Sequence, residues 1–123
     1  MAGRYLIISR FNYEIVFYNM KRFAFKMFLK PGMEEEYKKR HAQLWPEMKA
    51  MLAEKGVHNY SIYWDKDTNI LFGYQEVHGE SSSQDGEIAE INRKWWDFMA
   101  PLMDVNDDNS PVTIDLPEMF HLD

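Results

Sequence analysis

The chain has 123 residues, of which 46% are hydrophobic, 15% aromatic and 28% charged; this describes one soluble domain with a real core and excludes a TIM barrel or a two-domain nucleotide-binding enzyme. Its 14 Lys plus Arg against 20 Asp plus Glu leave a net charge of -6, which opposes phosphate-backbone binding and argues against nucleic acid as a partner. Cysteine is absent, so disulfides, thiolate nucleophiles and thiolate metal sites are impossible, and a reducing cytoplasm suits the chain.

The first residues, MAGRYLIISRFNYEIVFYNM, carry no signal peptide: the apolar run ends at Ile8, Arg10, Asn12 and Glu14 put polar groups into the next stretch, and no small-residue cleavage pattern is present. No stretch reaches the roughly 20 apolar residues needed to cross a bilayer, so no membrane partner is expected. Met20 directly precedes the first well-patterned strand, so residues 1–19 read as a dispensable N-terminal extension from an upstream start, and 20–123 as the working domain. The alternative for 13–18, a run rich in β-formers, is an extra edge strand.

From residue 21, Phe23, Phe25, Met27 and Leu29 alternate with Arg22, Ala24, Lys26 and Lys30 at the period of a half-buried strand. Pro31-Gly32 ends it. Met33, Tyr37, His41, Leu44, Met48 and Leu52 then recur at helical spacing, with Gly56 placed to stop the helix. Pro46 removes a backbone donor inside that pattern, so two helical pieces are expected, the second starting at Pro46. The β-rich runs 57–64 and 69–77 flank the turn Asp65-Lys66-Asp67-Thr68 and predict an antiparallel hairpin. HGESSSQDG, 78–86, has the composition of an exposed loop. Ile88, Ile91, Trp95, Met99 and Leu102 mark a second amphipathic helix, and 112–122 alternates as a last strand that Pro117 restricts to an edge. The order β-α-β-β-α-β is the ferredoxin-like α+β sandwich, a four-stranded antiparallel sheet with helices on one face.

Helices on one face leave the other uncovered. In 57–64 one alternating set is Val57, Ser61 and Tyr63 and the other His58, Tyr60, Ile62 and Trp64, so neither side reads as solvated. A homodimer packing sheet against sheet would bury the open face.

The four histidines, at 41, 58, 78 and 121, form no metal-binding spacing. His78 reads as solvated in its loop, and His58 and His121 as packed or rim residues. His41 lies on the apolar stripe one turn after Tyr37 and about one turn before Trp45; taken alone it reads as a satisfied core histidine. Trp95 and Trp96 point about 100 degrees apart on a helix. With Trp95 in the core, Trp96 falls at the boundary, where an exposed indole covers either a partner chain or a ligand. Aromatic surfaces suit sugars, whose C–H faces are apolar while their hydroxyls seek donors and acceptors.

Taken together, KRFAFKMFLKPGMEEEYKKRHAQLWPEMKAMLAEKG, HNYSIYWDKDTNILFGYQEV, RKWWDFMAPLM, DNSPV and EMFHLD make the chain resemble the L-rhamnose mutarotases from about residue 20 to 123. The run EYxxRHxxxWPE followed by NYxIY and RKWWxxM is a specific combination. Asp107 departs from the family's loop, where Pro is expected, and a looser loop would follow.

The resemblance implies a dimeric α+β barrel that interconverts the α and β pyranose anomers of L-rhamnose without cofactor or metal. Mutarotation needs a proton on the ring oxygen and loss of one from the anomeric hydroxyl, so that the ring opens, rotates and recloses. By the same resemblance His41 is the proton donor, Tyr37 and Tyr60 are substrate-contacting hydroxyls, and Trp95 and Trp96 bind the sugar. An imidazole of ordinary pKa, about 6.5, exchanges protons in both directions near neutrality. Asp65, Glu76, a tyrosine or water remain open as acceptor of the anomeric proton. The rival readings are a noncatalytic small-molecule-binding domain and a cofactor-independent monooxygenase on the same scaffold.

Overall fold

The computed structural model describes the backbone of residues 4–8 and 15–18 and all of residues 19–123. Two short strands, β1 (Arg4–Ile8) and β2 (Ile15–Asn19), pair antiparallel as a separate two-stranded sheet. The β-prone run ending at Tyr18 therefore does form a strand from Ile15, but its partner is β1 rather than the edge of the main sheet; Tyr13 and Glu14 lie outside the described residues.

The rest of the chain runs β3 (Lys21–Phe28), α1 (Glu34–Ala42), α2 (Pro46–Glu54), β4 (Val57–Asp65), β5 (Ile70–Val77), α3 (Glu90–Met99) and β6 (Ile114–Leu116), with a 3-10 turn at Ala100–Leu102. The sheet order is β4-β5-β3-β6, all neighbours antiparallel. This is the strand order of a split β-α-β arrangement. α3 starts at Glu90, two residues after Ile88, the first residue of the predicted apolar stripe. β6 is shorter than the predicted 112–122: only Ile114, Asp115 and Leu116 pair with β3, and Pro117, without an N–H, cannot extend the ladder.

Pro46 divides the first helix as its chemistry requires. Trp45 is extended (φ −60°, ψ 135°) and Pro46 takes the first helical position of α2. α1 carries Glu34, Glu35 and Glu36 in its first turn and Lys39, Arg40 and His41 in its last, matching the helix dipole at both ends. Gly56, at φ +84°, follows the C-cap of α2, and a Cβ there would sit 2.6 Å from the carbonyl oxygen of His78.

The covered face of the sheet presents Phe25, Met27 and Leu29 against Tyr37, Met48, Trp95, Trp96, Met99 and Leu102. Gly73 in β5 lies where a Cβ would be 2.6 Å from the Phe25 ring, so the missing side chain is what lets that ring lie on the sheet. On β4 the simple alternation fails. A bulge between His58 and Ser61, with Asn59 at φ +46°, inserts one extra residue opposite β5. The covered set becomes Val57, Tyr60, Ile62 and Trp64, and the open set His58, Ser61 and Tyr63, which replaces the two sets read from strict period two. The bulge thereby aims Tyr60 at the helices.

The open face is aromatic but mixed: Tyr63 is 67% exposed and Phe72 36%, beside the ionic group Arg22, Glu76 and Glu118. Arg22 Nε donates to Glu118 Oε1 at 2.7 Å, which holds the start of the C-terminal tail over this face. In the 106–110 loop, which contains Asp107, Asn106 Nδ2 donates to Ser110 Oγ at 3.0 Å and Asn109 Nδ2 to Asp97 Oδ1 at 3.0 Å. No helix among the described residues is long and apolar enough to cross a membrane.

Candidate active site

A cavity of about 930 Å³ is bounded by α1, α2, β4, the 83–84 loop and α3. Tyr37, His41, Tyr60, Trp95 and Trp96 all line it, so residues from three segments of sequence, α1, β4 and α3, converge on one space. Met27, Leu29, Met48, Met99 and Met103 supply an apolar wall, and Ser83, Gln84 and Asn92 a polar one.

His41 is held on three sides. Its ring stacks on Tyr37 (centroids 4.4 Å, planes 30° apart) and meets the Trp95 indole edge-on at 5.4 Å. Its Nδ1 lies 3.1 Å from the Tyr37 carbonyl oxygen, one helical turn back. A carbonyl only accepts, so Nδ1 carries the proton and Nε2 is left as the proton-exchanging nitrogen. One residue away, Arg40 donates to the Phe98 carbonyl, lies 4.1 Å over the Phe98 ring and pairs with Glu36 at 3.2 Å, tying α1 to α3. Trp45, placed by the Pro46 break, packs on Trp95 at 5.0 Å.

Burial lowers the His41 pKa below its ordinary 6.5, with the bond to the Tyr37 carbonyl opposing it. The sequence-based assumption of an ordinary imidazole is thus corrected. The unfolded chain takes up this proton before the folded one does. The resulting stabilisation is complete above pH 6.5 and is lost as pH falls through the lowered value. His41→Asn should therefore lose less stability than the wild type between pH 8 and pH 5 in urea titrations; parallel losses would contradict the buried neutral ring.

Both phenols stay protonated at neutral pH. Burial raises Tyr37, with Tyr60 adding to the shift, and burial pushes Tyr60 up to about 12 against hydrogen bonds from Ser83 and Gln84. They are hydrogen-bond donors rather than bases.

Trp96 is not at a boundary. It is 5% exposed and Trp95 6%, because the buried stripe of α3 is Asn92, Trp95, Trp96 and Met99. An apolar stripe at least 100° wide holds two adjacent residues, one at each margin. Asp65 and Glu76 do not border the cavity. Asp65 accepts from Asp67 N–H and Thr68 Oγ1 in its own turn; Glu76 faces the opposite side of the sheet, bonded to Asn59 and Tyr74. His78 is half-buried rather than solvated, its ring 4.1 Å from that of His58, and His121 pairs with Asp123 at 2.7 Å in the tail. None of these three lines the cavity, and among the described residues no group of three or more His, Asp or Glu is arranged to hold a metal.

Ser83 and Gln84 escaped the sequence reading because HGESSSQDG has the composition of a surface loop, and Asn92 because it is a lone amide on the otherwise apolar stripe of α3. The available signal was Gln75, a polar residue in phase with Leu71, Gly73 and Val77 on the covered face.

A sequence profile of the L-rhamnose mutarotase family matches residues 22–122. An L-rhamnose mutarotase of Phocaeicola vulgatus is 67% identical over 104 residues, spanning 85% of this chain and 100% of the relative. One from Bacteroides thetaiotaomicron is 64% identical over the same shares of each chain. The crystal structure of an L-rhamnose mutarotase from Formosa agariphila superposes with a TM-score of 0.76 at 50% identity, covering 84% of this chain and 99% of that one.

Proposed function

The chain belongs to the L-rhamnose mutarotase family and interconverts the α and β anomers of L-rhamnopyranose, and from that premise we propose how its cavity does so. The carrying observation is that His41, with Nδ1 committed to a backbone carbonyl, shares one cavity with two protonated phenols and two indoles. In its imidazolium form His41 gives the Nε2 proton to the ring oxygen as the bond from that oxygen to the anomeric carbon breaks. The anomeric hydroxyl loses its proton as the aldehyde forms. After rotation about the bond to C2, neutral Nε2 takes the proton back from the C5 hydroxyl as that oxygen closes on the other face of the aldehyde, whose oxygen regains a proton from the acceptor of the anomeric proton. A lowered pKa makes the imidazolium the stronger acid. Of the acceptors first considered for the anomeric proton, the two carboxylates lie off the cavity and the phenols are held protonated, which leaves water; Glu34 and Glu35 are the carboxylates that border the space.

Tyr37 and Tyr60 hydrogen-bond sugar hydroxyls, and Trp95 and Trp96 lie against its apolar faces, including the methyl group of this 6-deoxy sugar. Saturation-transfer NMR on equilibrated L-rhamnose tests the whole: catalytic protein should speed transfer between anomer signals without changing their ratio. No acceleration would favour a noncatalytic binding domain or a monooxygenase on the same scaffold.

The working unit is a cytoplasmic homodimer closed as an α+β barrel through the open sheet face, where Tyr63, Phe72 and Ile114 are exposed. Among the described residues, none before Met20 lines the cavity. A chain beginning at Met20 should sediment at about twice the mass expected of its monomer and exchange rhamnose anomers at close to the full chain's rate. A monomer, or loss of activity, would make the first 19 residues part of the working protein.

A further inference from the structure

Asn92 is 3% exposed and sits on the buried stripe of α3 that continues through Trp95, Trp96 and Met99. An amide gains nothing from an apolar neighbourhood, so its hydrogen bonds must account for its place there. Only one end of it has such a bond. Nδ2 donates to the Ser83 carbonyl oxygen at 3.4 Å. A carbonyl only accepts, so this contact turns the nitrogen toward the loop and Oδ1 away from it. Among the described residues no group donates to Oδ1. The oxygen is not sealed in the core either, and Asn92 is part of the cavity wall. A buried side chain thus presents an acceptor with no protein donor to the space that Tyr37, Tyr60 and His41 also face.

Each hydroxyl of a sugar that leaves water brings a hydrogen that needs an acceptor. The two phenols serve as donors, and His41 Nε2 exchanges its proton with the ring oxygen, so an amide oxygen supplies the complementary function. Its position on the helix says which part of the sugar it meets. Residues three and four apart share a helix face, which puts Asn92 one turn before both Trp95 and Trp96. A pyranose with its C–H face on the indoles directs its equatorial hydroxyls outward around the edge of the ring, toward such a neighbour. We propose that Asn92 is a substrate-binding residue whose Oδ1 accepts a hydrogen bond from a non-anomeric hydroxyl of the sugar. An amide oxygen takes up no proton near neutrality, and a non-anomeric hydroxyl is unchanged as the ring opens. The bond therefore strengthens binding of substrate and transition state alike, and acts on KM rather than kcat. This inference rests on the sugar-binding reading of the cavity and adds to it an acceptor on α3.

The test pairs the full-length wild type and Asn92→Leu with L-rhamnose and its ring-deoxy analogues, each lacking the hydroxyl at C2, C3 or C4, with affinity read from tryptophan fluorescence. Leucine keeps the volume and removes the acceptor. Asn92→Leu should bind L-rhamnose about tenfold more weakly, with kcat for anomer exchange changed less than about threefold. One analogue should bind the wild type about tenfold more weakly than L-rhamnose does, and the substitution should cost that analogue less than about a further twofold, because its partner hydroxyl is already gone. Affinity of Asn92→Leu for L-rhamnose within about twofold of the wild type's would overturn the proposal. So would an equal loss for L-rhamnose and every analogue, the result expected if Asn92 merely anchors the loop through Ser83. Should Asn92→Leu lack the wild-type circular dichroism spectrum, Asn92→Ala runs the same series, and failure of both to fold would make Asn92 a folding residue and overturn its role with the sugar. Wild-type protein that binds no L-rhamnose would sink the sugar-binding reading and this inference with it, whereas rhamnose binding indifferent to Asn92 would sink the inference alone.

Discussion

His41→Asn should slow α/β exchange of L-rhamnose by about 10²- to 10⁴-fold, the range that a positioned general acid contributes. Asparagine preserves a side-chain donor near the Tyr37 carbonyl and has no group that gives and takes a proton near neutrality. The side chain is half-buried and its ring contacts are with Tyr37 and Trp95, so the fold should survive, with a melting transition as cooperative as that of the wild type. Affinity for rhamnose should fall far less than the rate does. Exchange at pH 7 equal to the wild type's would remove His41 from the chemistry and leave the cavity without a proton donor of suitable pKa, since both phenols are raised by burial.

The sequence made most of the fold legible where local chemistry is strong. Pro46 marked the break between the two helices because a missing N–H has the same effect in every context, and Asp65-Lys66-Asp67-Thr68 marked the hairpin because its side chains hydrogen-bond their own turn. Period-two reading failed on β4 because one residue, Asn59, adopts a left-handed conformation, and a single insertion exchanges the faces of everything on one side of it. Without the bulge Tyr60 could not share a face with Val57. The cavity was legible on α1 and α3, whose motifs are contiguous. It was hidden on the 83–84 loop, where polar residues are buried through bonds to Gln75 and Asn92, which come from two other elements. Nothing local distinguishes a serine that a distant amide will bury from one that faces water.

Trp96→Ala should destabilise the protein by about 3–5 kcal/mol, the cost of truncating a core tryptophan, and not merely weaken sugar binding. Helical geometry alone separates Trp95 and Trp96 by about 100° and would make Trp96 an exposed platform whose loss leaves stability intact. The structure places both indoles in the core between the sheet and the helices, at 6% and 5% exposure, and both on the cavity wall. Each side chain therefore has two functions, and alanine removes both. Trp95→Ala should cost as much, since it also strips the edge-on contact from His41 and the packing against Trp45 and Phe98. A domain of this size has only about 5–15 kcal/mol of net stability, so either variant unfolds at markedly lower urea. The phenylalanine variants separate the two functions: Trp96→Phe keeps an aromatic face in the core and should lose less stability than affinity for L-rhamnose. A Trp96→Ala protein with the wild-type urea midpoint would show that this indole is not part of the core, whatever its effect on the sugar.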